Sequence, residues 1–252
     1  MSHYDFSGQT VLITGGSRGL GAQMAFDFAR NGANIVISGR NKEKAEETAH
    51  EISKLGVKVL PIPGDVAQLD DIDLLFDATV KEFGRLDVSI QNAGINFTKS
   101  SIEVTEEEFD DIYDVNVKGL FFCCTKAAKI MIPQNKGKII NLSSTGGVKP
   151  YKRIVPYAGS KAAVIHMTRG LASEWARYNL NVNSIAPGLI ATDINEGERK
   201  NSIWLEKMLK TIPLRRMGEP SDISNISLYL ASNLSDYVTG QTFFIEGGVL
   251  TE

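Results

Sequence analysis

Tyr157 and Lys161 stand four residues apart in VPYAGSKAAV (155–164), a run that is otherwise small and apolar. In a helix that spacing puts both side chains on one face, one turn apart. A free phenol has a pKa of about 10, so about one molecule in a thousand is ionised at pH 7. A neighbouring ammonium favours the phenolate and lowers that pKa, and a drop of about 3 units corresponds to about 4 kcal/mol. A phenol tuned in this way exchanges a proton with an alcohol or a ketone near neutrality. Alone, the spacing equally describes a surface pair with a packed ring. The rest of the chain decides between the two.

Thirteen residues before Tyr157, Ser144 closes the segment NLSS, and QNAG (91–94) closes an earlier apolar run. Both follow strand candidates, and in parallel α/β sheets sites form at the carboxyl ends of strands. Ser144 there is a candidate hydrogen-bond donor to a substrate oxygen. Asn116, in DVNVKG, lies within a predicted helix although asparagine is a poor helix former. Local inconsistency of that kind is expected at functional positions.

A second cluster follows the first apolar run. In TGGSRGLG (14–21), Gly15, Gly19 and Gly21 sit where a strand passes into a helix. Glycine there lets main-chain N–H groups approach a pyrophosphate, and the helix N-terminus adds unpaired donors and partial positive charge. The spacing is T-G-x-x-x-G-x-G, not the common G-x-G-x-x-G. After the second strand candidate, Gly39 and Arg40 stand where an acid would contact a ribose 2′-hydroxyl. Without that acid a 2′-phosphate is not repelled, and Arg40, with Arg18 in the turn, offers a guanidinium to it. The pattern favours NADP over NAD. Arg40 also reads simply as the opening of a solvated helix, RNKEKAEE.

Positioning these residues requires alternating elements. Short Val/Ile-rich runs at 10–14, 34–38, 58–62, 88–92, 138–142, 181–185 and 241–245 read as strands buried on both faces. Helical segments are predicted at 20–31, 41–55, 69–84, 105–131, 155–178 and 221–232. Strand and helix in alternation predict a parallel sheet with right-handed crossovers. No repeat or linker divides the 252 residues, so one domain over 1–252 is expected. The segment 189–215 is expected to be a loop with short helices covering a site.

The formal net charge of −3 with dispersed basic residues gives no reason to expect nucleic acid as a partner. No apolar run approaches membrane-spanning length and no leader pattern opens the chain, so no membrane partner is expected. Cys123 and Cys124 are adjacent and cannot readily bridge, which suits a reducing, cytoplasmic compartment. His3, His50 and His166 have no metal-ligand spacing, and no metal site is expected.

Taken in order, TGGSRGLG, GDV (64–66), QNAG, DVNVKG, NLSS, YAGSK, NSIAPGLIATDI (183–194) and EGG (246–248) resemble the short-chain dehydrogenase/reductase family along almost the whole chain. The resemblance implies a three-layer, doubly wound α/β Rossmann fold on a seven-stranded parallel sheet. It implies direct hydride transfer between a nicotinamide cofactor, NADP(H) more than NAD, and a ketone or secondary alcohol, without a metal. Tyr157 would be the general acid/base. Lys161 would lower its pKa and hold the ribose hydroxyls. Ser144 would bind the substrate oxygen, and Asn116 would complete a water relay to Lys161. Gly15, Ser17, Arg18, Gly19, Leu20, Gly21 and Arg40 would bind the phosphate-bearing half of the cofactor. Asp65 and Val66 would flank the adenine, and Asn92, Ala93 and Gly94 would line the cleft. Pro187, Gly188, Ile190 and Thr192 would embrace the nicotinamide amide. The family's usual assembly implies a homotetramer through 105–131, 155–178 and the last strand.

Two positions depart from the family pattern: Gln91 replaces asparagine and Leu20 replaces isoleucine, each keeping polarity and rough size. The substrate is less legible. Gly146, Gly147, Tyr151, Ile95, Phe97, Leu189 and Trp204 are the expected lining, which favours a neutral ketone or alcohol, with Lys149 and Lys152 near enough to leave a carboxylate open. Carrier-linked reductases of the family place arginines beside the site entrance. The aligned positions here, Asn135 and Tyr178, are not basic, although Lys136, Lys138 and Arg177 adjoin them. A 3-oxoacyl thioester reductase, an epimerase or dehydratase, and a non-catalytic dinucleotide-sensing protein on the same fold are the alternatives. The cofactor region is also similar to gluconate-type and polyol dehydrogenases.

Overall fold

In the computed structural model, which describes residues 4–192 and 195–251, all seven predicted strands form. They are β1 (Thr10–Thr14), β2 (Asn34–Gly39), β3 (Val59–Pro63), β4 (Val88–Gln91), β5 (Gly137–Leu142), β6 (Leu180–Pro187) and β7 (Thr242–Ile245). They pair in the order β3-β2-β1-β4-β5-β6-β7, every ladder parallel. The chain moves outward from β1 to β3, then returns to pair β4 with β1. Between β1 and β4 the winding reverses, and such a switch point opens a crevice at the carboxyl ends of the strands.

Side-chain alternation along the strands sorts the helices into two layers. Val11 and Ile13 of β1, with Ile35 and Ile37 of β2, pack against α1 (Gly19–Arg30), α2 (Lys42–Ser53) and α9 (Pro220–Ala231) through residues such as Met24, Phe28, Ile52 and Leu228. Leu12 and Val36 face the other way, onto α3 (Leu69–Phe83), α5 (Leu120–Gln134) and α6 (Val155–Trp175) through Phe76, Met131, Val164 and Trp175. The central strands β1, β4 and β5 are buried at every position, as expected of a covered parallel sheet. The edge strands β3 and β7 are only partly buried, which corrects the expectation of burial on both faces for all seven. Each lacks a neighbour on one side.

The helix predicted over 105–131 is three pieces. An acidic helix α4 (Glu106–Tyr113) starts at a Thr105/Glu108 capping box. It continues through a π-helical turn, Asp114–Gly119, into α5. Close approach accompanies the widening: a Cβ on Gly119 would lie 2.3 Å from the Val66 carbonyl oxygen. π-Turns inside helices are frequent at functional positions, and this one holds Asn116.

After β6 the chain runs through α7 (Glu196–Arg199) and α8 (Ser202–Lys210) before α9. A parallel bridge between Ile190 and Gly218 clasps the base of this excursion. The predicted cover at 189–215 falls here, with Asp193 and Ile194 outside the described residues. Among the described residues no helix is long and apolar enough to cross a membrane, and no group of acidic, histidine or cysteine side chains could hold a metal. Cys123 and Cys124 are free and buried.

Candidate active site

A cleft of about 720 Å³ opens along the carboxyl ends of β1, β2, β4, β5 and β6. Its floor is the turn between β1 and α1. Gly15 and Gly19 hold the left-handed conformation, at φ +64° and +55°, that only glycine adopts without strain. A Cβ on Gly15 would lie 3.0 Å from Asn92 Nδ2 and 3.1 Å from Ala93 Cα. Helix α1 has no side-chain cap and no acid in its first turn, and its first residues, Gly19 and Leu20, line the cleft. Its unpaired N–H groups and dipole are thereby left for an anion.

Ser17 and the exposed Arg18 stand on the same wall. Gly21 does not reach it. A Cβ there would fall 2.2 Å from the Gly15 carbonyl oxygen, so this glycine lets the helix close against the turn from behind. At the far end Arg40 Nη1 lies 4.0 Å from Asp65 Oδ2, with Arg40 largely exposed and Val66 buried beside them.

The loops after β1 and β4 are stapled together. Asn92 Nδ2 donates to the Thr14 and Gly15 carbonyls, both at 3.0 Å. Thr14 Oγ1 accepts from the Asn92 and Ala93 N–H groups, both at 3.1 Å. Sequence reasoning missed Thr14, because a threonine ending a buried strand looks like any β-former.

At the other end of the cleft, Ser144, Tyr157 and Lys161 converge. Helix α6 begins with Pro156 in its first turn, which brings Tyr157 and Lys161 to its start. The Ser144 hydroxyl hydrogen-bonds the Tyr157 phenol and accepts from Gly146 N–H at 3.0 Å. Lys161 is buried; its Nζ donates to the Leu142 carbonyl at 2.8 Å and lies 5.6 Å from the centroid of the Tyr157 ring. Desolvation pushes the Lys161 ammonium down to about 8. The same cause raises the Tyr157 phenol above its ordinary value, and the Ser144 hydrogen bond draws it only partly back. The expected lowering of the phenol is therefore absent. Burial penalises both charged forms, and the ammonium is turned to a carbonyl instead of the phenol oxygen.

Asn116 lies behind this group, fully buried. Its Oδ1 accepts from Ile95 N–H at 2.8 Å, and its Nδ2 donates to the Ile95 carbonyl at 3.0 Å and to Ser160 Oγ at 3.0 Å. Ser160 Oγ in turn donates to the Tyr157 carbonyl at 2.7 Å, and Ser143 Oγ donates to the Lys161 carbonyl at 2.8 Å. Gly94 passes between: a Cβ on it would be 3.2 Å from Asn116 Oδ1 and 3.4 Å from Lys161 Nζ. The bracing serines, 143 and 160, carried no sequence signal of their own.

Pro187, Gly188, Ile190 and Thr192 form the opposite wall. Asn195, unforeseen, ties that wall: Nδ2 donates to the Ile190 carbonyl at 2.7 Å, and Oδ1 accepts from Thr192 N–H at 3.1 Å. Of the expected substrate lining, Ile95, Phe97 and Leu189 are on the wall. Gly147 instead packs inward, where a Cβ would meet Ile165 and the Lys161 main chain below 3 Å. Asn135 and Tyr178 sit just before β5 and β6, at the amino ends of strands whose carboxyl ends carry the site. They lie on the opposite rim, so their lack of charge says nothing about this chain's own entrance.

A family model described as enoyl-(acyl carrier protein) reductase matches residues 15–250. A 2-dehydro-3-deoxy-D-gluconate 5-dehydrogenase of Escherichia coli is 38% identical over 251 residues, covering 99% of this chain and 98% of the relative. A 3-oxoacyl-(acyl-carrier-protein) reductase of Staphylococcus aureus is 38% identical over 242 residues, covering 96% and 98%. The crystal structure of a gluconate 5-dehydrogenase from Burkholderia cenocepacia, in complex with NADP and tartrate, superposes with a TM-score of 0.93 at 32% identity, covering 98% of this chain and 97% of that one. With the seven-stranded parallel sheet and full-length relatives of this kind, the chain belongs to the short-chain dehydrogenase/reductase family and is an oxidoreductase of the CH–OH/C=O class.

Proposed function

We propose that the protein is an NADP(H)-preferring carbonyl reductase or secondary-alcohol dehydrogenase for a small, neutral ketone or alcohol. The observation that carries this reading is the convergence of Ser144, Tyr157 and Lys161 in one cleft with the glycine turn. The cleft fits a dinucleotide on its own chemistry. Its turn carries no Cβ at Gly15, Gly16 and Gly19, its helix N-terminus is uncapped, and Arg18 and Arg40 are on its wall. When bound, the nicotinamide supplies or accepts a hydride.

The chain's own residues handle the oxygen and the proton. Ser144 orients the substrate oxygen through its hydroxyl. Tyr157 gives a proton to that oxygen in reduction and takes it back in oxidation. A phenol raised above its ordinary pKa holds its proton at neutral pH, which suits the acid role. Lys161 holds the ribose hydroxyls. Asn116, fixed through Ile95 and Ser160, shapes the floor through which a water relay to Lys161 runs. Gly15, Ser17, Arg18, Gly19 and Leu20 hold the pyrophosphate, with Gly21 closing the turn behind them. Arg40 meets the 2′-phosphate, and Asp65 and Val66 flank the adenine. Asn92, Ala93 and Gly94 line the ribose side, and Pro187, Gly188, Ile190 and Thr192 hold the nicotinamide amide.

The 252 residues act as one domain, with 189–215 as cover. Buried, free cysteines suit a reducing cytoplasm. Exposed Phe109 and Phe121 on α4 and α5, with the open edge of β7, support a homotetramer.

A second reading, reduction of a 3-oxoacyl thioester, is favoured by the S. aureus relative and by the description of the matching family. One assay tests both. Sugar and polyol ketones, small prochiral ketones and a 3-oxoacyl thioester are each offered with NADPH and with NADH while reduced-nicotinamide absorbance is followed. Consumption of NADPH with a small ketone, faster than with NADH, is expected. NADPH binding without turnover of any substrate would leave the non-catalytic reading standing instead.

A further inference from the structure

Directly after Ser144 the chain makes a 3₁₀ turn, Thr145–Gly147, on which the serine hydroxyl depends. Gly147 N–H donates to the Ser144 carbonyl at 3.0 Å, and the Val148 and Lys149 N–H groups donate to the Thr145 carbonyl at 3.0 and 2.8 Å. Inside the turn Gly146 N–H reaches Ser144 Oγ. A hydroxyl that accepts there keeps its single proton for one other partner, in a direction the turn sets.

Lys149 ends this turn, and its side chain is spent far from it in sequence. Nζ donates to the Val249 carbonyl, 100 residues away, at 2.6 Å. The residue is half-buried and does not line the cleft, so it is not placed to meet a substrate carboxylate. The segment that receives it, 246–250, is tied to two further parts of the site. Gly188, on the cleft wall, lies against it: a Cβ there would fall 2.8 Å from Glu246 Cα. Gly247 and Gly248, at φ +71° and +94°, pass Ile212 and Pro213 at the end of the cover, and the Gly247 carbonyl accepts from Leu214 N–H at 3.0 Å. Glu246 Oε2 accepts from Leu250 N–H at 3.0 Å, closing the segment around Val249.

We infer that Lys149 is a positioning residue for the reaction: by fastening the turn to the 246–250 segment it holds Gly146 N–H on Ser144 and so aims the serine hydroxyl. This rests on the reading of Ser144 as the group that holds the substrate oxygen. Strand pairing does not make this connection, because β6 separates β5 from β7. An ammonium on a main-chain carbonyl is a charge-assisted bond, stronger than a neutral one. A small error in the direction of an orienting group is enough to slow a reaction.

The test uses the full chain as wild type, Lys149→Met, Lys149→Arg, Ser144→Ala and the double variant Lys149→Met/Ser144→Ala, with NADPH and the small ketone turned over fastest in the panel above. Lys149→Met should lower kcat about tenfold and leave the NADPH dissociation constant within about twofold. Lys149→Arg keeps a cationic donor and should recover most of the loss. With Ser144 already replaced by alanine, Lys149→Met should change kcat by less than about twofold, since the hydroxyl it aims is gone. Deuterium exchange of the protein alone gives a readout that needs no substrate. Peptides spanning 144–149 and 246–250 should both exchange faster in Lys149→Met and at the wild-type rate in Lys149→Arg. Wild-type kcat in Lys149→Met overturns the inference. So does an equal loss with and without Ser144, which makes Lys149 a purely structural residue, or unchanged exchange in the 144–149 peptide. If Ser144→Ala keeps the wild-type kcat, the reading of Ser144 falls and the aiming role with it, while the exchange rates still decide whether Lys149 holds the turn.

Discussion

Lys161 Nζ donates to the main-chain carbonyl of Leu142, the last residue of β5, at 2.8 Å, so the ammonium is anchored on the sheet. The anchor compensates only part of the desolvation that pushes this group to about 8. The site is therefore built around a cation that is costly to hold until an electronegative ligand reaches it.

That cost sets a pH signature. Between about pH 8 and 10.5 the unfolded chain keeps its Lys161 proton while the folded protein has lost it, so unfolding free energy rises with pH across that window. Below pH 8 the full cost is present. The stability difference between the wild type and Lys161→Met, read from urea unfolding, should shift in favour of the wild type by up to about 3 kcal/mol over the window. A difference that stays flat with pH would mean the ammonium is not desolvated.

Tyr157→Phe should lower turnover by at least about a hundredfold. The ring packs as before, so the NADPH dissociation constant should stay within about twofold of the wild type. Stopped-flow turnover and fluorescence titration check the two halves. Comparable turnover in the variant would remove Tyr157 from proton transfer.

Arg40 lies 4.0 Å from Asp65 on the exposed lip of the cleft. Arg40→Asp replaces the proposed phosphate partner by a second carboxylate next to the first. NADPH should then bind about ten- to a hundredfold more weakly, with NADH use improved. Calorimetric titration of both cofactors decides it, and an unchanged preference would assign the 2′-phosphate to other residues.

Burial raises Cys123 to about 12 and Cys124 well above its ordinary value. Neither thiol should react with iodoacetamide in the folded protein at pH 8, and both should react in denaturant. Mass spectrometry after timed labelling measures this. Rapid native labelling would place the vicinal pair nearer the surface than the packing of α5 does.

Much of this was legible because composition and position agreed. TVLIT is a strand by residue type, and β1 spans those same residues. The glycines of 15–21 announced a turn that a Cβ would obstruct, and Gly15 and Gly21 bear this out by different contacts. What escaped depends on register and long-range approach. Thr14 is an ordinary strand residue until the pairing of β1 with β4 decides what its hydroxyl meets. Asn116 could be flagged as out of place in a helix, but not that a π-turn would aim its amide at Ile95, 21 residues back. The direction of the Tyr157 shift was missed because spacing reports the neighbour's charge and not the loss of water around both groups.

The bridge between Ile190 and Gly218 gives the region between them an unusual freedom. With both ends pinned to each other, the segment can lengthen or shorten at only a slowly growing entropic penalty, while β6 and α9 keep their places. Length can therefore change here at little cost to the fold, while the start of α6, where Tyr157 and Lys161 stand, keeps its place.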